Sequence, residues 1–279
     1  MGSIGTIARI TLGLGVGALA VLAGVRALVE RYVDGIWGTL ERGGDAGEAF
    51  TEDMVSGLPD PARRYFLHAI RPGTPLASRL HWRYSASMKP GEQMPWMSLQ
   101  AEQILAKERG FVWRARAWKG PLVLTVTDHY LDGEGRMRIS LFGLVPVIDA
   151  TGPDISKSAL GRLLVECIAL PSAILPGPHV QIEGVDESRF RAIVSLHGET
   201  TPITVTVDQE GRPREMVMPR WGNLTADGSY RHIPYGVSVD EERTFGGYTI
   251  PSAARVGWWY GTDRYLEVIR LRVDSARLW

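Results

Sequence analysis

Residues 111–117 read Phe-Val-Trp-Arg-Ala-Arg-Ala, and this stretch decides the fold class. Apolar side chains at 111, 113, 115 and 117 alternate with residues 112, 114 and 116, two of which are arginines. A period of two residues is typical of a β-strand with unlike faces. The stretch therefore predicts a strand with one apolar face and one charged face.

The same period continues on both sides of this strand. Residues 80–86 alternate before it, and Asp132-Gly133-Glu134-Gly135 reads as a hairpin turn after it. Further strands are predicted at 122–127 and 136–148, at several segments between 180 and 250, and at 254–273. Short connections between strands are predicted at 119–121, 209–212 and 245–248. About ten strands joined mostly by hairpins predict an antiparallel sheet.

Helical signals interrupt the strands twice. A short amphipathic helix is predicted after Asp60, with Pro61 at its first position. A second helix is predicted over 159–170, capped by Asp154 or Ser156 and stopped by Pro171. The prediction is an α+β fold in which a strongly curved antiparallel sheet, a half-barrel, is covered by one or two helices.

The N-terminal segment is apolar. Residues 10–25 carry no charge, and their continuation to Val29 gives the roughly 20 residues that span a bilayer. We therefore expect a transmembrane anchor at 1–32, a linker at 33–57 and a β-rich domain at 58–279. A signal peptide cleaved after Ala18-Leu19-Ala20 is the alternative.

This anchor predicts a single-pass protein of the cell membrane, in contact with membrane lipid. The Lys and Arg residues after the span favour a cytoplasmic domain, but the tail before the span is very short, so the side stays open. Small residues recur every three or four positions at Gly13, Gly17, Ala20 and Gly24. They indicate either a homodimer contact or the ordinary enrichment of glycine in membrane helices.

Composition excludes several classes of protein. The 31 basic and 31 acidic residues balance, which argues against a nucleic-acid partner. The single cysteine, Cys167, excludes an intramolecular disulfide and a cysteine-based zinc site. The six histidines lack the i, i+4 spacing of a helical metal site, and no nucleophile elbow, P-loop or Rossmann pattern appears in the right context. We predict no metal, no cofactor and no identifiable catalytic residue.

Three motifs resemble a bacterial family of uncharacterised proteins. They are Phe-Val-Trp-x-Ala at 111–115, Asp-x-Tyr-x-x-Gly-x-Gly at 128–135, and Arg-x-x-x-Glu at 162–166. The resemblance covers roughly residues 58–273 and brings no established activity. It implies a fold similar to the lipoprotein-carrier (LolA-like) half-barrels, in which a curved sheet and helices enclose an apolar cavity.

Four polar residues are candidates for a ligand pocket. Arg162 and Glu166 are four residues apart, so they share a face of the predicted helix. Asp128 and Tyr130 share a face of one strand. The helical pair either orients a ligand or forms an ion pair at the helix–sheet contact. Asp128 either takes part in acid–base or cation chemistry or bonds turn amides.

Aromatic and basic residues complete the candidates. Trp113, Trp258 and Tyr260 lie on strands whose faces are either core or ligand-facing. Arg220, and the pair Arg114 and Arg116, either bind an acidic headgroup or lie on solvated strand faces.

Three functions remain open at this point. The first is a membrane-tethered protein that binds a lipid or another apolar small molecule between the curved sheet and the helix. The second is an enzyme of unknown reaction with a pocket built from Asp128, Tyr130, Arg162 and Glu166. The third is a membrane scaffold without a ligand.

Overall fold

The computed structural model describes residues 3–43, 47–89 and 91–279, with side chains from residue 20 onward. Three α-helices accompany thirteen strands in this part of the chain. The helices are α1 (Ser3–Glu41), α2 (Asp60–Ala69) and α3 (Pro153–Glu166), and short 3₁₀ turns cover Glu52–Val55, Cys167–Ala169 and Pro171–Ile174. The strands are β1 (Arg79–Met88), β2 (Met97–Ala106), β3 (Gly110–Lys119), β4 (Leu122–Leu131), β5 (Glu134–Leu141), β6 (Val145–Thr151), β7 (Val180–Gly184), β8 (Arg189–Leu196), β9 (Glu199–Val207), β10 (Pro213–Gly222), β11 (Arg231–Phe245), β12 (Tyr248–Trp258) and β13 (Leu266–Leu278).

All thirteen strands belong to one antiparallel sheet, built from two meanders. Strands β1 to β6 follow one another from the middle of the sheet to one edge. Strands β7 to β13 follow one another from the other edge back to the middle, where β13 pairs with β1. The edge strands are therefore β6 and β7. The segment that contains α3 connects β6 to β7, so it runs from one edge of the sheet to the opposite edge.

The predicted α+β fold with a curved antiparallel sheet is confirmed, but the strand number is thirteen rather than about ten. Residues 254–273, predicted as one strand, are split by a turn at Trp259, whose φ is +55°. Residues 136–148 are likewise split by a turn at Phe142, whose φ is +52°. Neither residue type marks such a turn in a sequence, because both favour strands.

The second predicted helix exists with shifted bounds. α3 begins at Pro153 after Gly152, and neither Asp154 nor Ser156 caps it. The Asp154 carboxylate instead accepts a hydrogen bond from Trp221 Nε1 at 2.8 Å, and the Ser156 hydroxyl accepts one from the Gly135 amide at 2.9 Å. Both side chains thus tie α3 to the sheet.

α1 lies on the outer face of the sheet. Its last turns bury Val33, Ile36 and Leu40 against Ile104 and Val112 of β2 and β3. The predicted linker segment 33–57 thus contributes to the outer core, and Phe50 and Val55 of the same segment are buried in the main core.

The C-terminus of α1 is held by a buried arginine on β1. Arg79 donates from Nε to the Leu40 carbonyl at 2.7 Å and from Nη2 to the Arg42 carbonyl at 2.9 Å. These bonds satisfy carbonyls that a helix end leaves free.

Within the described residues, no helix is both long enough and apolar enough to cross a bilayer. The transmembrane anchor predicted at 1–32, and the single-pass membrane location that depended on it, are therefore not supported. From residue 20 onward α1 carries Arg26, Glu30, Arg31 and Asp34, which makes this part of the helix amphipathic. The predicted dimer contact falls largely outside the described side chains, since Gly13 and Gly17 precede residue 20.

Candidate ligand-binding cavity

A cavity of about 260 Å³ lies between α3 and the inner face of the sheet. Its wall is mostly aliphatic and aromatic. The apolar lining includes side chains from β1, β4, β5, β11, β12 and β13, namely Tyr84, Met88, Val126, Met137, Ile139, Val237, Ala254, Val256, Ile269 and Leu271. Alternation along the strands explains this lining, because every second residue of β1 from Leu80 to Met88 faces inward.

α3 covers this cavity because two glycines let it approach the sheet. A Cβ on Gly135 of β5 would lie 2.9 Å from the Ser156 Cα and 3.0 Å from the Ala159 Cβ. A Cβ on Gly161 would lie 2.9 Å from the Arg220 Cγ of β10. Strand β5 belongs to the first meander and β10 to the second. α3 therefore contacts both meanders of the curved sheet.

One buried arginine joins α3 to the sheet. Arg162 donates from Nε to the Glu166 carboxylate at 2.9 Å and from Nη1 to the Asp128 carboxylate at 2.8 Å. Gln103 accepts from Arg162 at 3.4 Å and donates to Glu166. The guanidinium also stacks on the Trp113 ring, 4.4 Å from its centroid.

The register of the strands assembles this cluster. Gln103, Trp113 and Asp128 lie side by side on β2, β3 and β4 and point to the same face. Burial alone lowers the pKa of Arg162, but the charges of Glu166 and Asp128 outweigh it and raise the pKa. The guanidinium therefore stays charged, and one cation faces two carboxylates.

A second arginine lies on the cavity wall in a different environment. Arg220 of β10 donates from Nε to the Ser158 carbonyl of α3 at 3.2 Å. Its guanidinium carbon lies 4.6 Å from the centroid of the Tyr235 ring and 4.9 Å from that of Trp258. No carboxylate pairs with it among the described residues.

Residues 48–270 match a protein family described as a family of unknown function (DUF6544). The chain belongs to DUF6544. The match spans all three motifs from which the resemblance was predicted, so that prediction is confirmed. No curated protein sequence matches this DUF6544 chain.

Three solved structures are similar to the DUF6544 chain. A putative outer membrane lipoprotein-sorting protein domain from Vibrio parahaemolyticus has a TM-score of 0.38 at 7% identity, over 72% of this chain and 85% of that one. A LolA superfamily protein from Nitrosomonas europaea has a TM-score of 0.38 at 8% identity, over 78% and 92%. A DUF1329 family protein from Desulfovibrio piger has a TM-score of 0.39 at 10% identity, over 72% and 86%.

Five of the seven predicted ligand residues of the DUF6544 chain line the cavity: Trp113, Asp128, Arg162, Glu166 and Trp258. Tyr130 and Tyr260 do not. The Tyr130 hydroxyl hydrogen-bonds to His197 Nδ1 at 2.7 Å. The Tyr260 hydroxyl bonds to Ser238 at 2.6 Å and donates to Glu215 at 2.9 Å.

The structure brings three of the four polar residues predicted for a pocket together, and Tyr130 lies apart from them. Asp128, Arg162 and Glu166 meet, whereas Tyr130 is turned towards His197. Tyr130 shares a face of β4 with Asp128 but lies two residues further along, opposite Phe111 and Gly135. Sharing a strand face with Asp128 does not bring Tyr130 into the polar cluster, because the strand residues of the cluster belong to one row of paired residues across β2, β3 and β4.

Several lining residues were not chosen from the sequence. Trp82 and Tyr84 line the cavity, and Gln103, which is paired with Trp82, completes the polar cluster on the same inner face. The alternation of 80–86 pointed to the first two. No local pattern identifies Gln103, because its hydrogen-bond partners Arg162 and Glu166 belong to α3, which is remote in sequence.

The arginines of β3 lie elsewhere. Arg114 and Arg116 line a groove of about 750 Å³ between α1 and the outer face of the sheet. Arg114 pairs there with Asp34 of α1 at 2.6 Å. Of the three basic residues considered for an acidic headgroup, Arg220 alone lines the inner cavity.

Proposed function

We propose that this protein binds a small, mostly apolar ligand in the cavity between the inner face of the sheet and α3. The observation that carries the proposal is the cavity itself, about 260 Å³ with a wall made largely of aliphatic and aromatic side chains. A well-packed core leaves few voids larger than a water molecule. A cavity of this size therefore calls for an occupant.

The size of the cavity limits that occupant. Sites for drug-sized molecules typically measure about 300–1,000 Å³. A cavity just below this range fits one slender molecule, such as a single acyl chain, better than a lipid with several chains. The wall also supplies few polar groups, as binding sites for apolar ligands usually do.

A buried tryptophan supports a ligand that carries an acceptor atom. The indole nitrogen of Trp82 is buried and has no acceptor among the described residues. An unsatisfied buried donor costs about 1–3 kcal/mol. A ligand oxygen that reaches this wall would relieve that cost.

Binding fits the polar cluster better than catalysis does. Arg162, Asp128, Glu166 and Gln103 bond to one another. Side chains that satisfy each other in this way hold α3 in place and leave no activated group for a substrate.

The proposal is tested by titrating the full-length chain with dodecanol and following heat and tryptophan fluorescence. We expect saturable binding with one site, and dodecanol with a brominated tail should quench fluorescence, since Trp82, Trp113 and Trp258 line the cavity. Val256→Phe places extra volume in the cavity and should weaken binding at least tenfold. Val147→Phe, at a residue of β6 that is 60% exposed, is the matched control.

Absence of saturable binding by the folded wild-type chain would overturn the proposal. Equal affinities of Val256→Phe, Val147→Phe and wild type would place the ligand outside this cavity. Native mass spectrometry of the gently purified chain then shows whether a cellular molecule of the expected size accompanies it.

A further inference from the structure

The cation of Arg220 faces the cavity without a counter-ion. Its Nε is satisfied by the Ser158 carbonyl and its guanidinium lies beside the Tyr235 hydroxyl, whereas no carboxylate lies within ion-pair distance of it among the described residues. The Tyr235 and Trp258 rings hold the guanidinium in place. A partly buried cation that is fixed between aromatic rings and lacks a carboxylate is a natural partner for an anion.

A second cation, Lys89, lines the same cavity. It follows the last residue of β1, and its backbone amide donates to the Val268 carbonyl at 2.8 Å, which fixes its position. No carboxylate lies within ion-pair distance of its ammonium group among the residues described. Because the sheet is antiparallel, the end of β1 and the end of β10 that carries Arg220 lie at the same end of the sheet.

The remaining charges on the wall direct an anion towards this end. Arg162 is matched against two carboxylates, Asp128 and Glu166, so this group carries a formal excess of one negative charge. Arg220 bonds to Ser158, in the N-terminal half of α3, whereas Arg162 bonds to Glu166, the last residue of the helix. An anion is repelled from the Glu166 part of the wall and attracted to the Arg220 part.

The geometry points to a single-chain anionic amphiphile as the ligand, with its carboxylate or phosphate headgroup on Arg220 and Lys89 and its apolar chain along the inner face of the sheet. This inference rests on the proposed function, since it names the class of molecule that the cavity takes. The guanidinium and ammonium groups recognise either headgroup, because both present anionic oxygens. The apolar chain then lies against side chains such as Ile139 and Leu271.

Calorimetric titration of the full-length chain with three ligands of one chain length tests this inference. Dodecanol is the neutral ligand, used below its solubility limit. Dodecanoate and dodecyl phosphate are the anionic ligands, used below their critical micelle concentrations. A hydrogen-bonded charge on the headgroup predicts that wild type binds at least one anion about ten- to a hundredfold more tightly than the alcohol. Which anion binds more tightly separates a fatty acid from a phosphorylated amphiphile.

Variants locate the headgroup. Arg220→Met should remove most of the preference for the anion, measured as the ratio of anion affinity to dodecanol affinity in the same variant, while Arg220→Lys should keep part of the preference. Arg214→Met is the matched control, because Arg214 lies on the same strand but is exposed and pairs with Asp208 at 2.6 Å. Lys89→Met should reduce the preference independently of any effect on the packing of Arg220.

The possible results separate the two proposals. Equal affinities of wild type for dodecanol and both anions overturn the anionic ligand and leave the cavity as a binding site. A preference that survives in both Arg220→Met and Lys89→Met also overturns it. Failure of all three ligands to bind removes the proposed function itself. If Arg220→Met does not fold, the wild-type comparison and Lys89→Met decide the outcome.

Discussion

Replacing Arg162 by methionine should destabilise the protein strongly. The side chain is buried, bonds to two carboxylates at 2.8 and 2.9 Å, and stacks on the Trp113 ring. Its removal leaves Asp128 and Glu166 buried without a cation. Removing one partner from a buried ion pair costs about 3–5 kcal/mol. This is a large part of the free energy of unfolding of a typical domain, about 5–15 kcal/mol.

Urea unfolding monitored by tryptophan fluorescence measures this loss. We expect the midpoint to fall while the slope with denaturant stays constant, since the surface exposed on unfolding is unchanged. Arg83→Met is the control, because Arg83 pairs with Glu102 on the outer face and its side chain is 62% exposed. An exposed pair of this kind contributes about 0–1 kcal/mol.

A further variant tests the reason for the loss. Adding Asp128→Asn and Glu166→Gln to Arg162→Met should recover part of the stability at neutral pH, because no buried charge then remains.

A small effect would refute this reasoning. If the free energy of unfolding of Arg162→Met lies within about 1 kcal/mol of that of Arg83→Met, and the two added substitutions recover nothing, the cluster does not hold α3 on the sheet.

Two other predictions concern contacts of the helices with the sheet. Gly135→Ala should cost about 1–3 kcal/mol in urea unfolding, because its Cβ would meet the backbone of α3 at Ser156, and an unchanged midpoint would contradict this. Burial, assisted by the positive charge of Arg136, lowers the pKa of His129 to about 4, and the ring packs on Tyr32 of α1. The contact should thus be fully stable above about pH 6.5 and weaken towards pH 4, by at most about 3 kcal/mol because solvent screens part of the effect. Limited proteolysis of α1 as a function of pH measures this contact, and His129→Phe should remove the pH dependence.

The fold class was predictable because one face of each strand is buried. The alternation in 80–86 and 111–117 is visible without knowing which distant residues these strands contact. The glycines at 133 and 135 identify the turn at 132–135. Strand ends at Phe142 and Trp259 were not predictable, because these residues favour strands and take a positive φ only through their tertiary setting. The predicted bounds of α3 also differ from the structure because of tertiary contacts, since Asp154 and Ser156 bond to the sheet instead of capping the helix.

The cavity was predictable in part. Arg162 and Glu166 share a helix face, which local spacing reveals, and Asp128 lies on the strand face that meets them. Gln103 completes the same cluster but comes from β2, and only the register of β2 with β3 brings it there. Arg220 was recognised as a candidate for an acidic headgroup, yet the sequence does not distinguish a cavity wall from a solvated face.

The pairing of β1 with β13 has a consequence for how the chain is made. Leu80 lies opposite Leu278, so the hydrogen bonds of that edge of β1 form only after β13, nearly 200 residues later in the sequence, has left the ribosome. Until then the nascent N-terminal meander exposes an unpaired strand edge, which invites aggregation. Contacts this distant in sequence raise the contact order and slow folding. Shielding of the growing chain, by a chaperone or by the ribosome itself, is the expected requirement for producing it in native form.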